Sequence, residues 1–176
     1  ECAMSCVHIY CGGGKGKTTA ALGLGLRMCG SGGHVLLAQF LKASVSSELA
    51  ALAQVKGFSL LQGPDSVKFT FQMSEEEKAE AARFWQDFFR RAVRQAEQGP
   101  CDLLLLDELV GAVALGMVPE EEVCAFLRSR PQGLEVVLTG RDPSPALLEL
   151  ADYVSEIQAV KHPYEKGIPA RRGVEF

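Results

Sequence analysis

Short apolar runs alternate with longer stretches of mixed polarity along this chain. The alternation predicts an α/β fold, a mostly parallel sheet of about six strands with helices on both faces. The predicted strands are residues 6–10, 34–40, 58–62, 102–106, 135–139 and 153–158. Several are apolar on both faces, as strands inside a parallel sheet should be. A helix over 18–28 carries Ala20, Ala21, Leu22, Leu24, Leu26 and Met28. It is apolar nearly all round and so expected to be buried, with Gly30 placed to end it. Ser74-Glu75-Glu76-Glu77 reads as the capping box of a long helix. Its apolar stripe runs through Ala81, Trp85, Phe88, Ala92 and Ala96, and Gly99-Pro100 stops it. The acidic start and the Arg90, Arg91 and Arg94 end both suit the helix dipole. Those charges read as a solvated face, and Trp85, Phe88 and Phe89 as core. No repeat, low-complexity tract or long linker divides the chain, so one domain over 1–176 is expected.

Composition narrows the function classes. At 176 residues the chain can build a proper core, and its 47% apolar and 23% charged content is that of a globular protein. A net charge of −4 argues against non-specific nucleic-acid binding, which needs a basic surface. No apolar run approaches the ~20 residues of a membrane span, and no signal peptide is visible. The expectation is a cytoplasmic protein with no membrane or nucleic-acid partner. Six cysteines (Cys2, Cys6, Cys11, Cys29, Cys101, Cys124) form no C-x-x-C pair, which disfavours structural zinc. Most read as small buried hydrophobes in a reducing compartment. Cys2 and Cys6 could pair on a metal but have no second pair to complete the site.

The most informative segment is Gly12-Gly13-Gly14-Lys15-Gly16-Lys17-Thr18-Thr19, set between a predicted strand and a predicted helix. Such a turn lets backbone N–H groups converge on a polyphosphate. The Lys adds a mobile positive charge, and the Thr hydroxyl is placed to hold Mg²⁺. The fit to G-x-x-x-x-G-K-[ST] is imperfect, because the first glycine position falls on Cys11. The alternative is a glycine hairpin without ligand; the strand–turn–helix context favours phosphate. Leu103-Leu104-Leu105-Leu106-Asp107-Glu108 supplies the second signal, a buried strand ending in two acids. In P-loop proteins such a strand delivers a carboxylate beside the phosphate loop. Spacing does not decide which of Asp107 and Glu108 touches the metal. Thr139-Gly140-Arg141 ends another strand on the same edge, where ligands gather. Arg141 either reaches phosphate or ribose or makes a surface salt bridge. His162 reads as a ligand, a base or a structural residue.

Together these residues resemble the P-loop ATP:corrinoid adenosyltransferases. The resemblance rests on residues 14–21 of the loop, then Gln39-Phe40-Leu41-Lys42, Phe69-Thr70-Phe71, Leu106-Asp107-Glu108-Leu109 and Leu138-Thr139-Gly140-Arg141. It continues through Ala151-Asp152-Tyr153-Val154-Ser155-Glu156, Val160-Lys161-His162-Pro163 and Gly173-Val174-Glu175-Phe176. It implies a P-loop NTPase (RecA-like) fold. The family's loop looks like G-N-G-K-G-K-T and also lacks the earlier glycine. This chain departs from it at Gly13, where the family usually has Asn, and at Phe71, where the aromatic pair is often Phe-x-Trp. Family members often carry an N-terminal extension over the active site. This chain begins at Glu1 without Met, so it either does without one or has had it cut away.

The resemblance implies that Co(I) of a reduced corrinoid attacks the ribose 5′ carbon of ATP and releases inorganic triphosphate, in adenosylcobalamin biosynthesis or salvage. ATP lies in the family's loop with reversed polarity. Lys17, Lys15 and the loop backbone (Gly12, Gly13, Gly14, Gly16, Thr18, Thr19), with Mg²⁺ or Mn²⁺ on Thr18 and Asp107 or Glu108, would grip the leaving triphosphate. Phe69 and Phe71 resemble the rings that pack on the corrin and displace its lower axial ligand; the bland alternative is two buried rings. A reduced flavoprotein as electron donor and a homodimer are further implications. The rivals are a conventional P-loop kinase or ATPase that cleaves the γ-phosphate, and a non-catalytic nucleotide-binding module.

Overall fold

A computed structural model describes residues 4–43 and 46–176; Cys2, half of the possible metal pair, lies outside them. The chain runs β1 (Val7–Cys11), α1 (Lys17–Gly30), β2 (Val35–Gln39), α2 (Ser47–Leu52) and β3 (Phe58–Leu60). It continues through α3 (Glu75–Gln98), β4 (Leu103–Asp107), α4 (Leu109–Ala114), α5 (Glu120–Ser129), β5 (Glu135–Thr139), α6 (Pro145–Leu150) and β6 (Tyr153–Glu156). Single 3₁₀ turns occupy Thr70–Gln72 and Pro163–Lys166.

All six strands are parallel, in the order β3-β2-β4-β5-β1-β6. One strand, β5, stands between the strand feeding the glycine loop and the strand ending in Asp107. This is the predicted P-loop, RecA-like arrangement. Strand positions agree with the sequence pattern to within two residues at each end, β1 and β4 each lying one residue later than predicted.

The alternation within each strand builds two cores. Val7, Ile9, Leu36, Ala38, Leu104, Leu106, Val136 and Leu138 face one way, against Trp85, Phe88 and Ala92 of α3 and the buried faces of α4, α5 and α6. Leu37, Leu103, Leu105 and Val137 face the other way, against Ala21 and Leu22 of α1 and Leu52 of α2. Helix α1 corrects the expectation of full burial. Only Ala21, Leu22 and Gly25 are buried, and Leu26 is 46% exposed. The sheet covers one face of this helix, and no described residue buries the opposite one. The helix also runs through Gly30 and is capped at Ser31.

Helix α3 keeps its predicted capping box: Ser74 Oγ accepts from the Glu77 amide and Glu77 Oε2 from the Ser74 amide. Gly99 ends it. Its 24 residues span about 36 Å, roughly twice the length of a five-residue strand. Its buried residues begin only at Trp85. Because the helix returns to the start of β4, its first turns project past the carboxyl edge of the sheet.

Strand β6 forms the edge beside β1, and all four of its residues are exposed. The cysteines that are described are unpaired. Burial pushes the Cys101 thiol up to about 11, which makes it inert at neutral pH.

Candidate functional site

On the α1 face of the sheet an apolar row, Leu37–Leu105–Val137, crosses three neighbouring strands in register. Two residues further along the same strands the row turns polar: Gln39, Asp107 and Thr139, all buried. The change falls where α1 begins, so Thr18 in its first turn meets Asp107 from above.

Asp107 is only 1% exposed, and each of its oxygens has two donors. Oδ1 accepts from Thr18 Oγ1 at 2.8 Å and Thr139 Oγ1 at 2.7 Å. Oδ2 accepts from Lys42 Nζ at 2.8 Å and Gln39 Nε2 at 3.3 Å. Taking a carboxylate out of water costs several kcal/mol unless it is paired and hydrogen-bonded, and here it is both. Thr139 Oγ1 also accepts the Glu108 amide at 2.9 Å.

The glycine loop is shaped by what it must pass. Gly12 has φ +100, and a Cβ there would stand 2.4 Å from the Ile157 carbonyl oxygen. A Cβ on Gly14 would stand 2.8 Å from the same oxygen, which accepts the Gly14 amide at 2.8 Å. The Gly12 amide is donated to the Arg141 carbonyl at 2.9 Å. The loop is therefore laced to the segments following β5 and β6. Gly16, at φ +116, opens α1, and no side chain caps that helix. Its first-turn amides stay open toward the loop, as an anion site requires. Lys17 curls back so that its ammonium donates to the carbonyls of Gly12 and Gly14, both at 2.8 Å. Lys15 points outward, 4.0 Å from Glu175 of the C-terminal segment.

Glu108 is left-handed at φ +59, and Leu41 after β2 is left-handed at φ +60. Among the described residues these are the only non-glycines with positive φ, a conformation costing about 1–2 kcal/mol each. Both follow neighbouring strands at this edge, and such strain is held by surrounding structure that serves a site. Burial raises the Glu108 carboxyl above its usual range, and Asp107 adds to the rise, while Lys42, Lys17 and Arg141 oppose it.

The predicted residues divide into two groups. The loop, Thr18, Asp107, Glu108 and the Arg141 backbone converge. Phe69 and Phe71 stand apart, 68% and 83% exposed, stacked on each other with centroids 5.6 Å apart. They are not the buried pair of the bland alternative. Their segment leaves the carboxyl edge at β3, four strand spacings from β1, about 19 Å across the sheet. His162 serves its own turn, Nδ1 accepting the Tyr164 amide at 3.1 Å.

Sequence reasoning assigned no site role to Lys42, Gln39 or the C-terminal segment. Gln39 reaches the site through its cross-strand register with Asp107, and Lys42 through the left-handed turn that follows β2. The C-terminal segment folds back over the loop. Ser47 Oγ donates to the Phe176 carbonyl at 3.3 Å, and Arg171 grips Glu175 through Nε and Nη2. A groove of about 680 Å³ lies among Thr18, Thr19, Lys42, Ser47, Glu175 and Phe176. A second cavity of about 450 Å³ lies among Lys15, Lys161, His162, Tyr164, Arg171 and Glu175.

The family model described as ATP:corrinoid adenosyltransferase BtuR/CobO/CobP matches residues 3–176. The corrinoid adenosyltransferase of Escherichia coli (strain K12) is 35% identical over 170 residues, 97% of this chain and 85% of that protein. Corrinoid adenosyltransferase CobA of Salmonella typhimurium (strain LT2) is 33% identical with the same coverage. Among solved structures, ATPases 2 and 3 of EssC from Geobacillus thermodenitrificans superpose with a TM-score of 0.50 at 16% identity. That match covers 97% of this chain and 36% of that one, a likeness of fold alone.

Proposed function

The chain belongs to the ATP:corrinoid adenosyltransferase family, and from that premise we propose how its residues divide the work. The activity is transfer of the 5′-deoxyadenosyl group of ATP to the Co(I) centre of a corrinoid. The cobalt electron pair forms the bond to C5′, the C5′–O bond breaks, and its electron pair leaves with triphosphate. No proton need be abstracted. The protein's task is to hold the leaving group and align the carbon.

In our reading the triphosphate lies on the open amides of the loop and the first turn of α1, with Lys17 and Lys15 as its cations. Thr18 Oγ1 and the Asp107 carboxylate would hold Mg²⁺ or Mn²⁺, which when bound offsets the charge that builds on the departing triphosphate. The donors fit a hard cation, being oxygens only. No group of three or more His, Cys, Asp or Glu side chains able to hold a metal occurs among the described residues. That suits an ion which completes its shell with water and substrate phosphates. Asp107 is the acid bonded to Thr18, Glu108 is the next residue and offers a second carboxyl, and Arg141 borders the same edge.

One observation carries the corrinoid half of the reading. Phe69 and Phe71 stand stacked and bare, 68% and 83% exposed, on the edge that holds the phosphate loop, whereas Trp85, Phe88 and Phe89 of α3 are buried in the core. A flat, largely apolar macrocycle is the kind of ligand that covers such a pair. Excluding water and a lower ligand from cobalt there would ease its reduction. We assign the electron supply to a reduced flavoprotein and the working unit to a homodimer, the latter supported by the uncovered edge strand β6. We place its site of action in the cytoplasm; among the described residues no helix is long and apolar enough to cross a membrane.

The test is to incubate the purified chain with ATP, Mg²⁺ and chemically reduced cob(I)alamin. The visible spectrum should shift to that of a light-sensitive cobalt–carbon bond, with one triphosphate released per turnover. Release of ADP with the corrinoid unalkylated would overturn the reading in favour of a kinase or ATPase.

A further inference from the structure

The ammonium of Lys42 touches both groups to which the preceding reading gives the divalent ion. It lies 2.8 Å from Asp107 Oδ2 and 3.3 Å from Thr18 Oγ1. The position is built. The left-handed turn at Leu41 fixes where Lys42 leaves the end of β2. The Gln39–Asp107 register brings that end alongside the carboxylate. The Lys42 side chain is 33% exposed and borders the 680 Å³ groove, so it has room to leave.

We propose that Lys42 is a built-in counter-cation of the metal seat, occupying Thr18 and Asp107 in the nucleotide-free protein and yielding them when the divalent ion arrives with triphosphate. The proposal rests on the reading of Thr18 and Asp107 as metal ligands. Its logic is charge balance. One carboxylate and one ammonium make a neutral pair beside Lys17, itself a cation. A bare divalent ion entering there meets the cations Lys42, Lys17 and Arg141 against the two carboxyls Asp107 and Glu108, a set with cations in excess. The same ion carried by a triphosphate arrives as a net anion, and the ammonium can then turn from the carboxylate toward phosphate. Lys42 is thus a positioning residue that couples metal entry to nucleotide entry. A merely structural lysine would predict a loss of binding on removal, whereas a competing cation predicts a gain.

Mn²⁺ titrations followed by water-proton relaxation enhancement distinguish these, because the signal rises only when the ion is held by the slowly tumbling protein. The nucleotide-free wild type should bind Mn²⁺ weakly, and ATP should promote tight binding. Lys42→Met, and Lys42→Gln as a neutral variant that keeps a donor, should bind Mn²⁺ at least tenfold more tightly than wild type without nucleotide. Asp107→Asn should abolish the protein-held signal in every background. If Asp107→Asn removes the signal but the Lys42 variants gain nothing, the proposal is overturned and the metal seat stands. If Asp107→Asn leaves the signal intact, the seat itself is misplaced and the proposal falls with it. Should neither Lys42 variant fold, the wild type still decides: tight Mn²⁺ binding without nucleotide would sink the idea.

Discussion

The two ends of the carboxyl edge are built on opposite plans. Over β1, β4 and β5 the buried carboxylate and the loop are held in place by hydrogen bonds, and the first amides of α1 are left open. Asp107 holds four donors, Lys17 is folded onto its own loop, and the loop is tied to residues 141 and 157. Beyond β3 the two exposed phenylalanine rings stack on one another beside an exposed Lys68–Glu77 pair. The difference follows from the kinds of ligand involved. A polyphosphate needs donors already pointed at it, because reorganising dipoles during the reaction wastes their stabilisation. An apolar face needs only to be left uncovered, and the ligand supplies the burial.

The largest expected effect falls on the charged end. Lys17→Ala should reduce adenosyl transfer by roughly 10³-fold, the scale of losing a preorganised group on a developing anion, while corrinoid affinity is unchanged. Phe71→Ala should do the reverse. Burying one such ring is worth about 1.5–3 kcal/mol, so corrinoid binding should weaken by about 10- to 100-fold with ATP affinity preserved. Separate titrations of ATP and corrinoid against each variant check this. Equal loss of both affinities in Phe71→Ala would erase the division between the two ends.

The second prediction sharpens the contrast inside the loop itself. Gly14→Ala sets a methyl 2.8 Å from backbone of the segment after β6, so the loop and that segment must part. The lost amide contact and the displaced backbone should cost about 1–3 kcal/mol of stability, read from thermal or denaturant unfolding. Gly13 faces open space, with no atom within 4 Å of its Cβ position. Gly13→Asn, which restores the residue usual in the family, should change stability by less than about 0.5 kcal/mol. One added hydrogen bond to nucleotide would tighten ATP binding by about two- to tenfold. Matching destabilisation in both variants would mean that the loop is not laced as described.

Much of this was legible in the sequence, and the exceptions share a cause. The strands and α3 follow from local alternation and a capping box, and the loop and Asp107 from motifs that are themselves local. What escaped depends on pairings between distant residues. The insertion of β5 between β1 and β4 is a non-local choice, reached through the family resemblance and not through the local pattern. Gln39 became part of the site only through its register with Asp107, and Lys42 only through the left-handed turn at Leu41. The six-residue helices α2, α4 and α6 are too short to show a 3.6-residue period. The apolar surface of α1 was read as buried because hydropathy reports what a residue prefers, not whether the chain has anything left to cover it.

The smallest effect concerns the C-terminal segment, which lies between the two plans: charged, with the Arg171–Glu175 pair within itself and contacts to Lys15 and Ser47 outside it. Glu175 accepts from the Arg171 backbone amide at 2.8 Å and from its guanidinium at 3.0 and 3.2 Å. These bonds hold the carboxyl down to about 2, against an ordinary 4.5, with Lys15 contributing least. A depressed carboxyl contributes its full stabilisation above the unfolded value and loses it as pH falls through the folded one. Hydrogen-exchange protection of residues 173–175, corrected for intrinsic rates, should therefore be full above about pH 4.5, weaken below it and be lost near 2. Arg171→Ala should abolish that protection at neutral pH with little change in melting temperature, since exposed pairs contribute little to global stability. Protection that survives the substitution would show the segment to be held by the loop and Ser47 instead, and would move it to the hydrogen-bonded side of the comparison.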